Sequence, residues 1–92
     1  MIVSFRNLET AALASGHALK RFGQIGTVAR RKMRQLEIAR SLRDLAIPPG
    51  NRLKALAGER SGQHSIRIND QYRICFHWTP AAPEDVEVVD YH

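Results

Sequence analysis

The sequence predicts an α+β fold: two N-terminal helices packed on one face of a small, twisted antiparallel sheet of three to four strands, with an N-terminal strand added. Three observations predict it. Apolar residues recur every three or four positions through the first half, and after the breaker Pro48-Pro49-Gly50 they alternate at every second position. No strand–helix–strand repeat, the mark of a parallel sheet, interrupts either half. At 92 residues the chain is long enough for one domain, residues 1–92. A single core of that size hides about 60 to 65% of the surface of the unfolded chain. Hydrophobic residues at 43% and charged residues at 25% exclude a disordered tail or a low-complexity segment.

Residues 1–5, Met-Ile-Val-Ser-Phe, form a short β-rich run that reads as an edge or outer strand. Leu8, Ala11, Ala12, Ala18, Leu19 and Phe22 follow helical spacing, which predicts a helix over 8–22 with Gly16 as its weak point and Gly23 and Gly26 as its stop. Thr27 is the expected N-cap of a second helix, in which Ala29, Met33, Leu36, Ala39 and Leu42 or Arg43 recur every three or four residues. Its outer face displays Arg30, Arg31, Arg34, Glu37 and Arg40, and Ser41-x-x-Asp44 caps one further turn before the prolines.

In the second half His64, Ile66 and Ile68 alternate with Ser65, Arg67 and Asn69. Tyr72, Ile74, Phe76 and Trp78 then alternate with Arg73, Cys75 and His77. Asn69-Asp70 is the turn between these strands, residues 80–83 make the next loop, and 85–91 form a last strand of the meander. Leu53 and Leu56, ahead of the hairpin turn Gly58-Glu59-Arg60-Ser61-Gly62, add a fourth strand or edge. The large apolar set belongs on the helices, so Arg67 and Arg73 share the opposite face, with Lys54 and Arg60 brought near them. An exposed cation adds little stability by itself, so a group of them on an open sheet face points to an anion.

The charge balance agrees. Fourteen basic and nine acidic side chains give a net charge of +5, and residues 1–46 hold nine of the basic residues against only three acids. Such an excess fits a polyanionic partner, nucleic acid or acidic protein, or else a solubilising helix face. The longest stretches without a charge, 10–19 and 74–83, are ten residues each, whereas a membrane span needs about 20. No apolar signal core follows residues 1–9, so a cytoplasmic protein without membrane contact is expected. Cys75, the only cysteine, alternates with core positions and reads as an inert thiol. His17, His64, His77 and His92 lack metal-ligand spacing, so neither a metal nor another cofactor is expected; His64 and His77 read as strand residues at a sheet edge.

Asp90-Tyr91-His92 ends the last strand with three side chains able to move protons. The competing reading is a frayed polar tail. Cleavage of a phosphodiester by its own 2′-hydroxyl needs a base for that hydroxyl, cations against the developing charge on phosphorus, and an acid for the leaving 5′-oxygen. Asp90, Tyr91, His92, Arg73, Lys54 and Arg67 can supply all three without a metal.

Four ordered segments resemble one family: Pro48-Pro49-Gly50-Asn51-Arg52-Leu53, Gly58 to Gly62, Ser65 to Phe76, and Val88-Val89-Asp90-Tyr91-His92. Together with residues 1–6 they look like the HigB branch of the RelE superfamily of bacterial toxins, the plasmid-maintenance killer proteins. The resemblance implies a RelE-like microbial ribonuclease fold and a ribosome-dependent endoribonuclease that cuts messenger RNA in the 30S decoding site. It implies as partner a HigA-like helix-turn-helix antitoxin, through which alone the toxin meets operator DNA. By position it gives Arg73, Asp90, Tyr91 and His92 as catalytic. Charge and placement, rather than the resemblance, add Lys54 to them and set Arg67, Arg60, Arg30, Arg31 and Arg34 toward RNA. The sequence departs from the family pattern twice: Lys54 stands where some members carry a histidine, and Ala57 stands where a lysine commonly precedes the glycine. A lysine, with an ordinary pKa near ~10.4, stabilises charge better than it accepts a proton at neutral pH. A non-catalytic module, serving as antitoxin partner or co-repressor, is the alternative function, and direct DNA binding ranks last because no helix-turn-helix spacing is present.

Overall fold

The computed structural model describes residues 1–80 and 82–90. Asn7 starts the first helix, α1 (Leu8–Ala14), by accepting the Thr10 N–H on its side-chain oxygen at 2.8 Å. Gly16, at φ +95°, ends it, since the left-handed region costs a glycine nothing. The helix expected over 8–22 therefore stops at Ala14, and the chain resumes as one 3₁₀ turn, Lys20–Phe22. Phe22 is drawn into the core there and meets the Tyr72 ring edge-on at 5.8 Å.

The second helix, α2 (Gly26–Ile38), begins one residue before Thr27 and has no side-chain cap. Packing sets its start instead, because the residue at its N-terminal boundary, Ile25, is buried. Ala29, Met33 and Leu36 form its inner stripe, as their spacing requires. The Ser41–Asp44 box forms as expected and opens the 3₁₀ turn Leu42–Ala46; Asp44 Oδ2 accepts the N–H groups of Arg40 and Ser41 at 2.9 and 3.2 Å. These backbone donors hold the Asp44 carboxyl below its usual pKa.

Four strands follow, β1 (Lys54–Ala55), β2 (His64–Arg67), β3 (Tyr72–Trp78) and β4 (Pro83–Asp90), in the spatial order β1-β2-β3-β4 and antiparallel throughout. The Gly58–Arg60 3₁₀ turn lies in the β1–β2 connection, and Asn69 Oδ1 caps the β2–β3 turn by accepting the N–H groups of Gln71 and Tyr72, both at 2.8 Å. Thr79 and Ala82 exchange hydrogen bonds that tighten the next loop, so β4 starts at Pro83 rather than at residue 85. Ala81, Tyr91 and His92, which complete that loop and the expected last strand, lie outside the described residues. His64 and His77 sit on β2 and β3, the two inner strands, so neither occupies an edge strand; the His64 ring stacks on Phe76 with centroids 6.4 Å apart.

The N-terminal run contributes less than a full strand. It lies along β4 with one parallel bridge, Phe5 to Val86, held by Val86 N–H to Ser4 O at 3.1 Å and Arg6 N–H to Val86 O at 2.9 Å. Farther along the same strand the Thr10 hydroxyl accepts the Val88 N–H at 3.1 Å, so α1 takes up hydrogen bonding there. Leu13, Ala29, Met33 and Leu36 meet Ile66, Ile74, Phe76, Val86 and Val88 in one core, each side chain stabilising the fold by roughly 1.5–3 kcal/mol when it is a fully buried Leu, Ile, Val, Phe or Met. No described helix is long and apolar enough to cross a membrane.

Candidate functional site

The register fixes the second sheet face. Lys54 pairs with Ser65, Ser65 with Cys75, Cys75 with Glu87, and Arg67 with Arg73, so these side chains share the face opposite the core. Like charges directly opposite on neighbouring strands are destabilising, and Arg67 and Arg73 are such a pair. A concavity of about 350 Å³ opens at this end; the described residues that line it are Arg52, Lys54, Arg67, Asn69, Asp70 and Arg73, four cations and one carboxylate among them.

Arg73 is held from two sides. Its Nε donates to the buried Ser65 hydroxyl at 2.7 Å, and its terminal nitrogen donates to the Arg52 carbonyl at 2.7 Å. Arg67 pairs with Asp70, whose side chain is fully exposed, so this pair is weak and open to exchange with another anion. Arg52 adopts φ +46° directly after the Pro49–Asn51 turn, a left-handed conformation that a non-glycine residue keeps only when its surroundings enforce it. The enforcement comes from beneath. Asn51 is fully buried, donates to Gln35 Oε1 at 2.8 Å and to the Leu45 carbonyl at 3.0 Å, and accepts from the Lys32 ammonium. Burial lowers the Lys32 pKa, and the positive charges of Arg31 and Arg67 lower it further.

The other expected residues are distributed as follows. Arg60 reaches the far end of this face and donates to Gln63 at 3.1 Å and to Glu87 at 3.2 Å; Arg6 lies 3.7 Å from the same carboxylate. Asp90 pairs across from Tyr72 on the adjoining strand and accepts from the Gln71 amide at 3.1 Å, beside the turn that carries Asn69 rather than within the concavity. Tyr91 and His92 lie outside the described residues. Arg30, Arg31 and Arg34 line a different groove, on α2. Cys75 is fully buried, which pushes its thiol pKa up and leaves it a poor nucleophile. Among the described residues no three His, Cys, Asp or Glu side chains gather to hold a metal ion.

Sequence reasoning missed two cations here. Lys32 falls on the inner stripe with Ala29, Met33 and Leu36, a spacing that marks it as facing the core, and the buried partner it requires is Asn51. Arg52 follows a turn in which no periodicity operates, so only its neighbour Arg73 reveals its position.

With this geometry in place, the chain can be compared with known proteins. It is 50% identical over 48 residues to Toxin HigB-1 of Vibrio cholerae; the match covers 52% of this chain and spans about half, 50%, of that protein's length. The structure is similar to the YoeB-YefM complex from Staphylococcus aureus with a TM-score of 0.57 at 16% identity, covering 100% of this chain and 98% of the matched chain, a likeness of fold. The model of the RelE-like toxins of the type II toxin-antitoxin system HigB matches residues 18–92, a span that takes in α2, all four strands and every cation of the concavity. The chain therefore belongs to the HigB-like toxin family.

Proposed function

We propose that this chain is a ribosome-dependent, metal-independent endoribonuclease that cuts messenger RNA in the cytoplasm at the decoding site, and that a HigA-like helix-turn-helix antitoxin neutralises it. The observation that carries the proposal is the convergence of Arg67 and Arg73, directly opposite on neighbouring strands, with Arg52 and Lys54 around one concavity, a geometry suited to an RNA phosphate. The scissile phosphate sits against Arg73, Arg67 and Lys54. His92 takes the proton of the adjacent 2′-hydroxyl, whose oxygen attacks phosphorus to form a 2′,3′-cyclic phosphate. The bond from phosphorus to the 5′-oxygen breaks, and that oxygen receives a proton from Tyr91 or from a ribosomal RNA group. Arg73 and Lys54 offset the charge that grows on the phosphoryl oxygens, and Asp90 completes the run that orients the proton-transfer groups. Phosphate contacts release counterions, so association with the ribosome weakens steeply with salt.

The test is induced expression of the wild-type chain beside Lys54→Ala and His92→Ala, with growth recorded and transcript 5′ ends mapped. Wild type arrests growth with new in-frame cuts, and both variants lose them while remaining folded. If all three grow alike as folded proteins, the chain is a binding partner without catalysis. Undiminished cutting by His92→Ala removes that residue from the reaction.

A further inference from the structure

Two basic surfaces on this chain differ in what lies beneath the charge. The sheet concavity is lined by polar and charged residues alone. The second is a groove of about 690 Å³ bounded by the N-terminal run, the end of α1 and the outer flank of α2. Its floor is apolar, formed by Ile2, Phe5, Met33 and Ile38, and its rim carries Arg31 and Arg34. Ile38 is 71% exposed, an unusual place for a large aliphatic side chain beside other apolar surface. Glu37, the single carboxylate of the groove, is already engaged, since its Oε2 accepts the Ile2 N–H at 2.9 Å and ties the N-terminal run to α2. Among the described residues no carboxylate forms an ion pair with Arg30, Arg31 or Arg34.

RNA phosphates gain nothing from an aliphatic floor, and among the described residues that line the groove Phe5 alone offers a ring on which a base can stack. An amphipathic protein segment uses both features at once: its apolar side chains cover the floor while its carboxylates meet the rim. We propose that this groove docks an acidic, amphipathic segment of the antitoxin. Two or three apolar side chains, at i, i+3 or i+4 and i+7 of a short helix, lie over Ile2, Met33 and Ile38, and acidic residues flank them toward Arg31 and Arg34. The inference rests on the reading of the chain as a toxin with such an antitoxin. It assigns the grip to a surface that shares no lining residue with the cation concavity, so the two sites can be broken separately.

The experiment uses the full chain and a HigA-like helix-turn-helix antitoxin, with affinity measured by calorimetry at low and high salt and growth arrest scored in parallel. Ile38→Asp places a charge on the exposed floor, and Arg31→Glu combined with Arg34→Glu reverses the rim. Each weakens antitoxin binding by at least about tenfold, as truncation of an interface anchor does. The rim variant also flattens the salt dependence. Ile38→Asp keeps cleavage but is no longer rescued by the antitoxin. Wild-type affinity in both variants overturns the proposal. So does loss of cleavage by the rim variant with antitoxin affinity intact, which gives these arginines to RNA, and so does wild-type self-association that Ile38→Asp abolishes, which gives the groove to a second copy. If the unaltered chain fails to bind the antitoxin at all, the toxin–antitoxin pairing itself fails, a result visible before any substitution is made.

Discussion

Arg60 and Arg73 reach the same face of the same sheet, yet their surroundings differ. At the Arg60 end one carboxylate, Glu87, lies within ion-pair distance of two cations, Arg60 and Arg6, and the guanidinium of Arg60 is also bonded to Gln63. At the Arg73 end Arg52, Lys54, Arg67 and Arg73 converge, and among the described residues that line the concavity Asp70 is the one carboxylate. The difference teaches that a count of arginines on a face does not locate an anion site. What sets the Arg73 end apart is that several cations converge there and one is fixed in place, as the Ser65 hydroxyl and the Arg52 carbonyl fix Arg73. Preorganised charge of this kind costs folding energy and is recovered when an anion binds.

The largest expected effect breaks the comparison directly. If the proposed cleavage uses Arg73 against developing charge, removing this held cation lowers the rate by about 10²–10³-fold, so Arg73→Ala is expected to abolish detectable cleavage, whereas Arg60→Ala is expected to lower it by less than about tenfold. Single-turnover cleavage on programmed ribosomes checks both, and equal losses would erase the distinction between the two ends. The next effect runs in opposite directions in two assays. Arg67→Ser removes a like-charged neighbour from Arg73 and raises stability by roughly 0.2–1 kcal/mol, read as an increased urea midpoint. The same variant lowers the slope of log affinity against log salt for ribosome binding by about 1, the loss of one phosphate contact. A variant that is both less stable and equally salt-sensitive would show that Arg67 serves the fold rather than the site.

A third effect concerns the middle of the face, between the two ends. Cys75 stands directly opposite Ser65, fully buried, with its thiol pKa raised chiefly by that burial. Alkylation by iodoacetamide at neutral pH is therefore negligible in the folded chain and becomes complete in urea. Rapid native alkylation would mean that this part of the face opens to solvent.

Much of this arrangement was legible in the sequence because it follows from period-two alternation. That rule put Ile66, Ile74 and Phe76 on the helices and Arg67, Arg73 and Lys54 on the other face, and the register agrees at each position. What alternation does not specify is which acids stand nearby: it groups Arg60 with Arg73, although Glu87, twenty-seven residues later, sits at the Arg60 guanidinium. Helical spacing likewise ran through Gly16, because apolar residues on both sides of it enter the same core from separate elements. The sequence shows the arginines of α2 as charge alone; the apolar floor beside them depends on residues from the N-terminal run, which only the fold brings there.

The smallest effect tests what supports the cation-rich end. Lys32 is buried against Asn51, and desolvation, with Arg31 and Arg67 adding to it, lowers its pKa from 10.5. The folded chain thus releases this proton at a lower pH than the unfolded chain does. Between the depressed pKa and 10.5 the unfolded state binds more protons, so this group's contribution to stability rises with pH across that window and is constant below it. Lys32→Met removes that rise. It also leaves the Asn51 carbonyl without its ammonium donor, a loss of roughly 1–3 kcal/mol that is present at every pH. Urea midpoints of wild type and Lys32→Met from pH 7 to pH 10 separate the two contributions: the lost hydrogen bond sets the gap at pH 7, and the gap widens toward pH 10 as wild type gains stability from the released proton, whereas parallel curves would mean that Lys32 is as well solvated in the folded chain as in the unfolded one. Because Asn51 positions Arg52, whose carbonyl holds Arg73, the same variant lowers cleavage at pH 7 even where it is fully folded, and that loss links a buried side chain of α2 to the charge on the sheet.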